Sequence, residues 1–489
     1  MRAGAVITPA RVVKSLVWGV WLILLVLLLW RDFFVSVVDS RESAALERDR
    51  RTEYQGIYFK EQKIGYVEYT FAPAAADTLT LHQRAVMDLN ISGQSHPVDL
   101  DLQATIDQYS RLQAFHFAFT SPFYRMTADG TVSGSAVSFT LDTGNAVIED
   151  RLSLEAPPLL PTSRRAYLLD RDLQSGEKIR IPWFDPLSLT AKSSLVEYHG
   201  KEKTLIHQRV YQLHRFTEQF AGIRVNVWLD DQGEVVKEES PAGFVFIREP
   251  EFKAKQMDHQ SPELLAGVAV PVIGAMPEVG NKTSQRYRLH LPETAEFTLS
   301  SGRQSFADSI LTVTRETIPD DVHDQSRPCA DGARELASSP YIQTDAPEIV
   351  TLAEEIAAAP TSPTDRTQAL ADWVYQNLEK RPVIGIPDAL STLKSGHGDC
   401  NEHASLFAAL ARAAGIPTKI AVGVVYQQDA FYYHAWNEVC LNGTWISLDT
   451  TTNQFPADLT HLKFVEGELQ EQLRIGALLN TLKIEPLPD

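Results

Sequence analysis

The stretch Lys394-Ser-Gly-His-Gly-Asp-Cys-Asn-Glu-His403 constrains this chain more than any other. A loop rich in Gly and Asp runs into Cys400, after which Leu406, Phe407, Leu410, Ala411 and Ala414 recur at helical spacing. Gly415 and Pro417 stop that helix. The pattern sets one thiol in the first turn of a helix. Unpaired backbone N–H groups and the positive end of the helix dipole favour a thiolate there and can hold an oxyanion. Asp399, one residue earlier, suits the cap. Downstream, Phe431–Cys440 alternates like a strand, Asn442-Gly443 is a two-residue hairpin turn, and Thr444–Asp449 is the return strand. That turn sets the register: His434 comes opposite Thr451 and Asp449 opposite Trp436. His434 and Asp449 are then diagonal neighbours on one face. An acid beside an imidazole fixes its tautomer and supports its charged form. A lone cysteine at a helix start is most often structural, but one joined by a His–Asp pair has the make-up of a nucleophilic site.

Gly398-Asp-Cys400, Leu406, Arg412-Ala-Ala-Gly-Ile-Pro417, His434-Ala-Trp436, Trp445 and Asp449-Thr450 follow one another in an order and spacing that closely resembles the transglutaminase-like superfamily, a branch of the papain-like thiol fold. The resemblance covers roughly residues 340–465. It implies Cys400 as nucleophile, His434 as general base and acid, and Asp449 as the orienting acid. The Cys400 backbone N–H would help hold the oxyanion, with Asp399 at the helix start and Trp436 walling the cleft. Many relatives read Asp-Pro-Thr after the second strand; here it is Asp449-Thr-Thr-Thr452, which keeps the acid and alters the turn. The expected activity is cleavage of peptide or amide bonds through a thioester, with hydrolysis favoured. Protein-glutamine transamidation is the enzymatic alternative, and a non-catalytic binding or assembly protein with an idle site is the other. No cofactor is expected. His397, Cys400 and His403 are not spaced as zinc-ligand pairs and lack a fourth ligand, so no metal is expected either. His403, one turn along the helix, is expected behind the site or at the surface.

Leu16–Trp30 is an unbroken apolar run preceded by Arg2, Arg11 and Lys14. It is shorter than the ~20 residues that span a bilayer. Ser15 and Phe33–Val38 extend it to a span over 15–38, although Arg31-Asp32 interrupts. No small-x-small cleavage site follows directly, so the reading is an uncleaved transmembrane signal anchor. Residues 1–14 would be cytoplasmic, and the bulk of the chain extracytoplasmic on a single pass through the inner membrane. Partner proteins at the membrane would fit that placement, alongside a peptide or protein substrate. The chain has 45 Lys+Arg against 63 Asp+Glu, a net charge of −18, which argues against nucleic acid as a partner.

The remaining chain divides as follows. Residues 39–52 form a charged stalk. Residues 53–250 form an antiparallel β-rich domain, a curved sheet or open barrel, with clear hairpins at Tyr54–Phe71 and Arg224–Glu238. That domain is either a spacer or a groove presenting a peptide or lipidic substrate. Residues 251–340 are a linker with additional strands, and 341–489 the catalytic domain. In the last, Asp345 is expected to cap a helix with Pro347 in its first turn and Glu348 completing a capping box; others are expected near Thr364 and over Glu468–Leu482. The fold class expected is α+β: an N-terminal transmembrane helix, the β-rich domain, and the transglutaminase-like domain. Three cysteines make no disulfide scaffold. Cys329 and Cys440 can pair and leave Cys400 free, a point the sequence leaves open.

Overall fold

The structure is a computed structural model. It describes residues 36–37 and 51–488, except 75–77, 92, 108–109, 123, 187–188, 221–222, 258–260, 265–268, 293–296 and 320–327. The described chain is mostly β. One sheet takes fifteen strands. From Lys178–Asp185 it meanders to Phe244–Arg248, which pairs with Arg51–Phe59, and it meanders again to Val147–Ser153. These neighbours are antiparallel, and their alternating burial follows the period-two side-chain pattern. The sheet curls back towards itself. The ring of Phe115, far along the strand order, comes within 5.0 Å of Phe184 near its start. Leu159 bridges the gap, pairing with both Arg111 and Trp183.

The expected α+β class with a transmembrane helix is corrected here. Among the described residues no helix is long and apolar enough to cross a membrane. Ser36–Val37, the end of the expected span, is extended and pairs in parallel with Ile179–Arg180. A segment that lends its backbone groups to a sheet edge does not continue a membrane helix. The single-pass inner-membrane placement loses its support with the anchor. Residues 1–14 and the rest of 15–38 lie outside the described residues, as does most of the 39–52 stalk. Arg51 and Thr52 already belong to the strand Arg51–Phe59.

From residue 347 the chain changes character. The helices Pro347–Ala357, Pro363–Asn377 and Ala389–Ser395 gather round Cys400–Ala413, which packs on a four-stranded antiparallel sheet ordered Thr444–Leu448, Ala430–Leu441, Thr418–Gln427, Leu462–Glu466. The helix Cys400–Ala413 runs through the centre and is buried all round from Glu402 to Arg412. Ala404, Ala408, Ala409 and Ala411 let neighbours approach closely, while Leu406, Phe407 and Leu410 fill the core at about 1.5–3 kcal/mol each. Arg412 stays buried because the Thr418 and Ala337 carbonyls (3.0 and 2.9 Å) and Glu335 accept its N–H groups. Gly415, at φ 80°, ends the helix in the left-handed conformation a side chain would resist.

Ser284–His290, Gln304–Ala307 and Ile310–Thr314 form a separate sheet with Lys483–Leu487. Cys329 and Cys440 are joined by a disulfide, Cα–Cα 6.0 Å. Two local expectations need correction. Ala346 occupies the N-cap of Pro347–Ala357 with no side-chain cap, because Asp345 accepts the Ser338 hydroxyl instead. Glu468–Leu482 yields only a turn, Leu469–Gln472, followed by a 3₁₀ segment, Leu473–Leu478. Gly476 there packs against Ile223, whose Cδ1 would lie 2.7 Å from an added Cβ.

Candidate active site

Cys400 is the first residue of its helix, and the sequence before it explains why. Helix Ala389–Ser395 ends at Gly396 with φ 68°. Gly398 then passes so close to the next helix that a Cβ would sit 2.2 Å from that of Glu402. Asp399 caps the helix by accepting the Asn401 N–H (3.0 Å), and Glu402 reaches back to accept the Asp399 N–H (3.0 Å). This capping box holds two carboxyls in one turn. Burial, with Asp399 beside it, pushes the Glu402 carboxyl well above the usual range.

Cys400 is half-buried as a residue, and its sulfur accepts the backbone N–H of Ala435, the residue after His434. The thiol is therefore held against the His434 strand. His434 Nε2 lies 3.0 Å from Asp449 Oδ2, and both side chains are buried. The hairpin register is the one read from the turn: Asn437 pairs with Leu448 and Cys440 with Trp445. The ladder stops there, and Asp449 opens a turn instead. Its Oδ1 accepts the Thr451 N–H (2.7 Å) and its Oδ2 the Thr452 hydroxyl (2.6 Å). The Thr450-Thr-Thr452 run thus supplies donors to the acid. Burial opposes the Asp449 charge, yet its bonds to two histidines hold the carboxyl well below the usual range.

The thiol behaves differently from the expectation of a favoured thiolate. Burial and then the neighbouring Asp399 charge push it up, against the single N–H of Ala435; Glu402 and Asp449 add to the rise. At rest Cys400 is therefore a thiol. Trp436, expected to wall the cleft, is buried, its ring stacked beside His434 with centroids 6.3 Å apart. His403 is buried rather than superficial. Its Nδ1–H donates to the Asp399 carbonyl (2.7 Å), and burial lowers its pKa.

Sequence reasoning missed His461. It is fully buried, with Nε2 3.2 Å from Asp449 Oδ2 and Nδ1 3.0 Å from Asp458 Oδ1. It lies in a loop outside the hairpin, and the sign available was Asp458-Leu-Thr-His461, an acid three residues before an imidazole. His434, Asp449 and His461 bring ligand-type atoms within 4.8 Å of one another, but as a hydrogen-bonded set rather than a metal cage. All three atoms are already engaged, since both imidazoles meet the same carboxylate oxygen at hydrogen-bond length. The earlier trio does not converge: His397 Nδ1–H and His403 Nδ1–H each serve a separate backbone carbonyl.

The β-rich sheet touches this site from behind. Thr143 and Ser391 share a hydroxyl–hydroxyl bond (2.9 Å), Ser121 Oγ donates to the Ile384 carbonyl (3.1 Å), and Lys394 Nζ donates to the Asn145 carbonyl (3.0 Å). A cavity of about 230 Å³ lies along this seam, lined by Tyr124, Asp142, Asp388, His397 and Glu402 among others.

Residues 350–450 match the profile of the transglutaminase-like superfamily. That part of the chain is a transglutaminase-like domain, as its motifs suggested. No curated protein matches significantly. Among solved structures, a candidate cysteine protease from Cytophaga hutchinsonii is 18% identical over 41% of this chain and 80% of its own, with a TM-score of 0.27. A β-barrel-like protein of a domain of unknown function from Brucella abortus is 13% identical over 42% of this chain and 96% of its own, TM-score 0.33. The periplasmic domain of TgpA from Pseudomonas aeruginosa, bound to ethylmercury, is 17% identical over 35% of this chain and 74% of its own, TM-score 0.25.

Proposed function

We propose that this chain is a thiol enzyme that hydrolyses peptide or amide bonds through a thioester, with Cys400, His434 and Asp449 as its triad. The observation that carries the reading is the Cys400 sulfur on the backbone N–H of Ala435, the residue after His434, whose Nε2 is bound to a buried carboxylate. With Nε2 engaged, Nδ1 is the His434 nitrogen left to take a proton. As the thiol proton passes to it, the sulfur attacks the substrate carbonyl carbon. The oxyanion forms near the Cys400 backbone N–H at the helix start, a donor worth about 3 kcal/mol of barrier. The C–N bond then breaks, His434 returns the proton to the leaving amine, and the acyl group remains on sulfur. Water, deprotonated by the same Nδ1, releases the carboxylate and regenerates the thiol. Asp449 holds the ring in one tautomer throughout. The resting thiol fits this order of events, because the proton moves with the attack.

The test is the full chain with a peptide library in ¹⁸O-water, with a labelled primary amine present, followed by mass spectrometry. Hydrolysis predicts cleaved acyl ends carrying ¹⁸O, and their loss in Cys400→Ala. Stable incorporation of the amine would replace hydrolysis with transamidation. No turnover by the wild type with either acceptor would leave a binding protein with an idle site.

A further inference from the structure

The Asp449 carboxylate serves two imidazoles, and the second has no part in the steps above. Oδ2 is approached by His434 Nε2 at 3.0 Å, by His461 Nε2 at 3.2 Å and by the Thr452 hydroxyl at 2.6 Å. An ionised carboxylate oxygen only accepts, so both Nε2 atoms carry hydrogen. On the far side of His461, Nδ1 lies 3.0 Å from Asp458 Oδ1, which also accepts the Thr460 N–H (2.8 Å) and hydroxyl (2.6 Å). That oxygen likewise takes donors. With an acceptor at each nitrogen, His461 holds both protons and a positive charge. It is fully buried, so its counter-charges must come from the protein.

We propose that His461 is a standing imidazolium that neutralises the Asp449 charge and so keeps His434 an uncharged base in the resting site. His461 touches no reacting atom; it is a positioning residue acting through Asp449. The proposal rests on the triad reading above and deepens it. In a bare His–Asp pair the whole carboxylate charge would draw a second proton onto the catalytic imidazole, and an opposite charge at this range shifts a pKa by about 1–3 units. The groups facing His461 are few. Asp449 and Asp458 flank its nitrogens. The rings of Trp436 and His434 stand edge-on at 5.2 and 5.9 Å. Arg303 donates to the His461 carbonyl (3.3 Å) and to the Ala457 and Asp458 carbonyls, so its cation adds to that of His461 rather than opposing it. Burial disfavours charge on His461, but the two carboxylates outweigh it and raise its pKa.

The experiment is a pH titration of the full chain labelled with ¹⁵N-histidine, followed through the ring nitrogens. Assignment comes from His461→Gln and His434→Gln. In the wild type, His461 is expected to keep both nitrogens protonated from the acid side of neutrality to the alkaline side. In His461→Gln the His434 midpoint should rise by about one unit or more, because Asp449 is no longer neutralised. Asp458→Asn, which removes the charge at nearly the same volume, should raise it in the same direction by less. A His461 ring that is neutral or titrates in that range overturns the proposal. So does a His434 midpoint that stays or falls in both variants, as a merely structural role for His461 would give. These titrations need no substrate. A chain inert towards peptides but with the expected midpoints would sink the enzymatic reading alone; an active chain with an unmoved His434 would sink this one alone.

Discussion

Replacing Asp449 by Asn changes one atom and reverses what that atom can accept. The carboxylate receives four donors: His434, His461 and Thr452 on Oδ2, and the Thr451 N–H on Oδ1. An amide has one oxygen. Whichever way it turns, its NH₂ meets at least one buried donor. With the oxygen towards Thr451, the amide nitrogen faces two imidazole N–H groups. With the oxygen towards the imidazoles, it faces the Thr451 N–H. Each buried donor left without an acceptor costs about 1–3 kcal/mol. Removing the partner of a buried charge, here His461, costs about 3–5 kcal/mol. These overlap, so the expected loss is about 3–5 kcal/mol. Turnover should fall by about 10³–10⁴, since the base loses its tautomer. Urea unfolding and steady-state hydrolysis on the same preparation measure both. An Asn variant within about 1 kcal/mol of wild type and within tenfold in kcat/KM would refute the role given to this carboxylate.

Other outcomes follow from the same geometry. Cys400→Ala should abolish turnover with a change in unfolding free energy below about 1.5 kcal/mol, because a half-buried residue gives up little packing; a large loss of stability would assign the residue to the core instead. The Cys400 thiol, pushed up by burial and Asp399, should react slowly with iodoacetamide at neutral pH and faster as pH rises; a fast rate that is flat above neutrality would contradict that. Opening the Cys329–Cys440 bridge, across 111 residues, should cost ~4.8 kcal/mol by loop entropy, read as the difference in urea unfolding with and without reductant. Burial opposes the charge of Glu466, but Lys463 and Lys419 hold its carboxyl down to about 2. A depressed folded pKa adds stability above the unfolded value and loses it as pH falls towards 2. Glu466→Gln should therefore cost about 1–2 kcal/mol near neutrality, after allowing for solvent screening, with the gap to wild type closing between about pH 4.5 and about pH 2. A gap that persists at the acid end would point to packing instead.

The His434–Asp449 pair was legible because a two-residue turn leaves a hairpin no slack, and the pairing of Asn437 with Leu448 follows from it. The cap at Asp399 was legible for a similar reason, being decided within three residues. His461 was not, because only tertiary packing carries it from its loop to Asp449. The thiol's acidity was misread because a helix start is visible in sequence, whereas burial of the thiol and the approach of Asp449 appear only once the hairpin folds over the helix. The alanines of the Cys400 helix mark no face, so an amphipathic pattern stood in for a helix buried all round. Alternation announced the strands of the large sheet, but not that Phe115 would come round to Phe184. The apolar run Leu16–Trp30 satisfied a hydropathy criterion, while the parallel pairing of Ser36–Val37 is a long-range contact with no local sign.

The bonds from Ser121, Thr143 and Asn145 give the large sheet a mechanical part in whatever happens at the sulfur. They grip Ile384, Ser391 and Lys394, the run of chain that delivers Cys400 to its helix. A nucleophile hung on a free loop would wander by more than the fraction of an ångström that attack tolerates; one moored to a broad β scaffold takes on the stiffness of its mooring. Dissecting the two parts for separate expression would cut those moorings, and a transglutaminase-like fragment prepared that way should be judged as a loosened domain, whatever its spectrum says about folding.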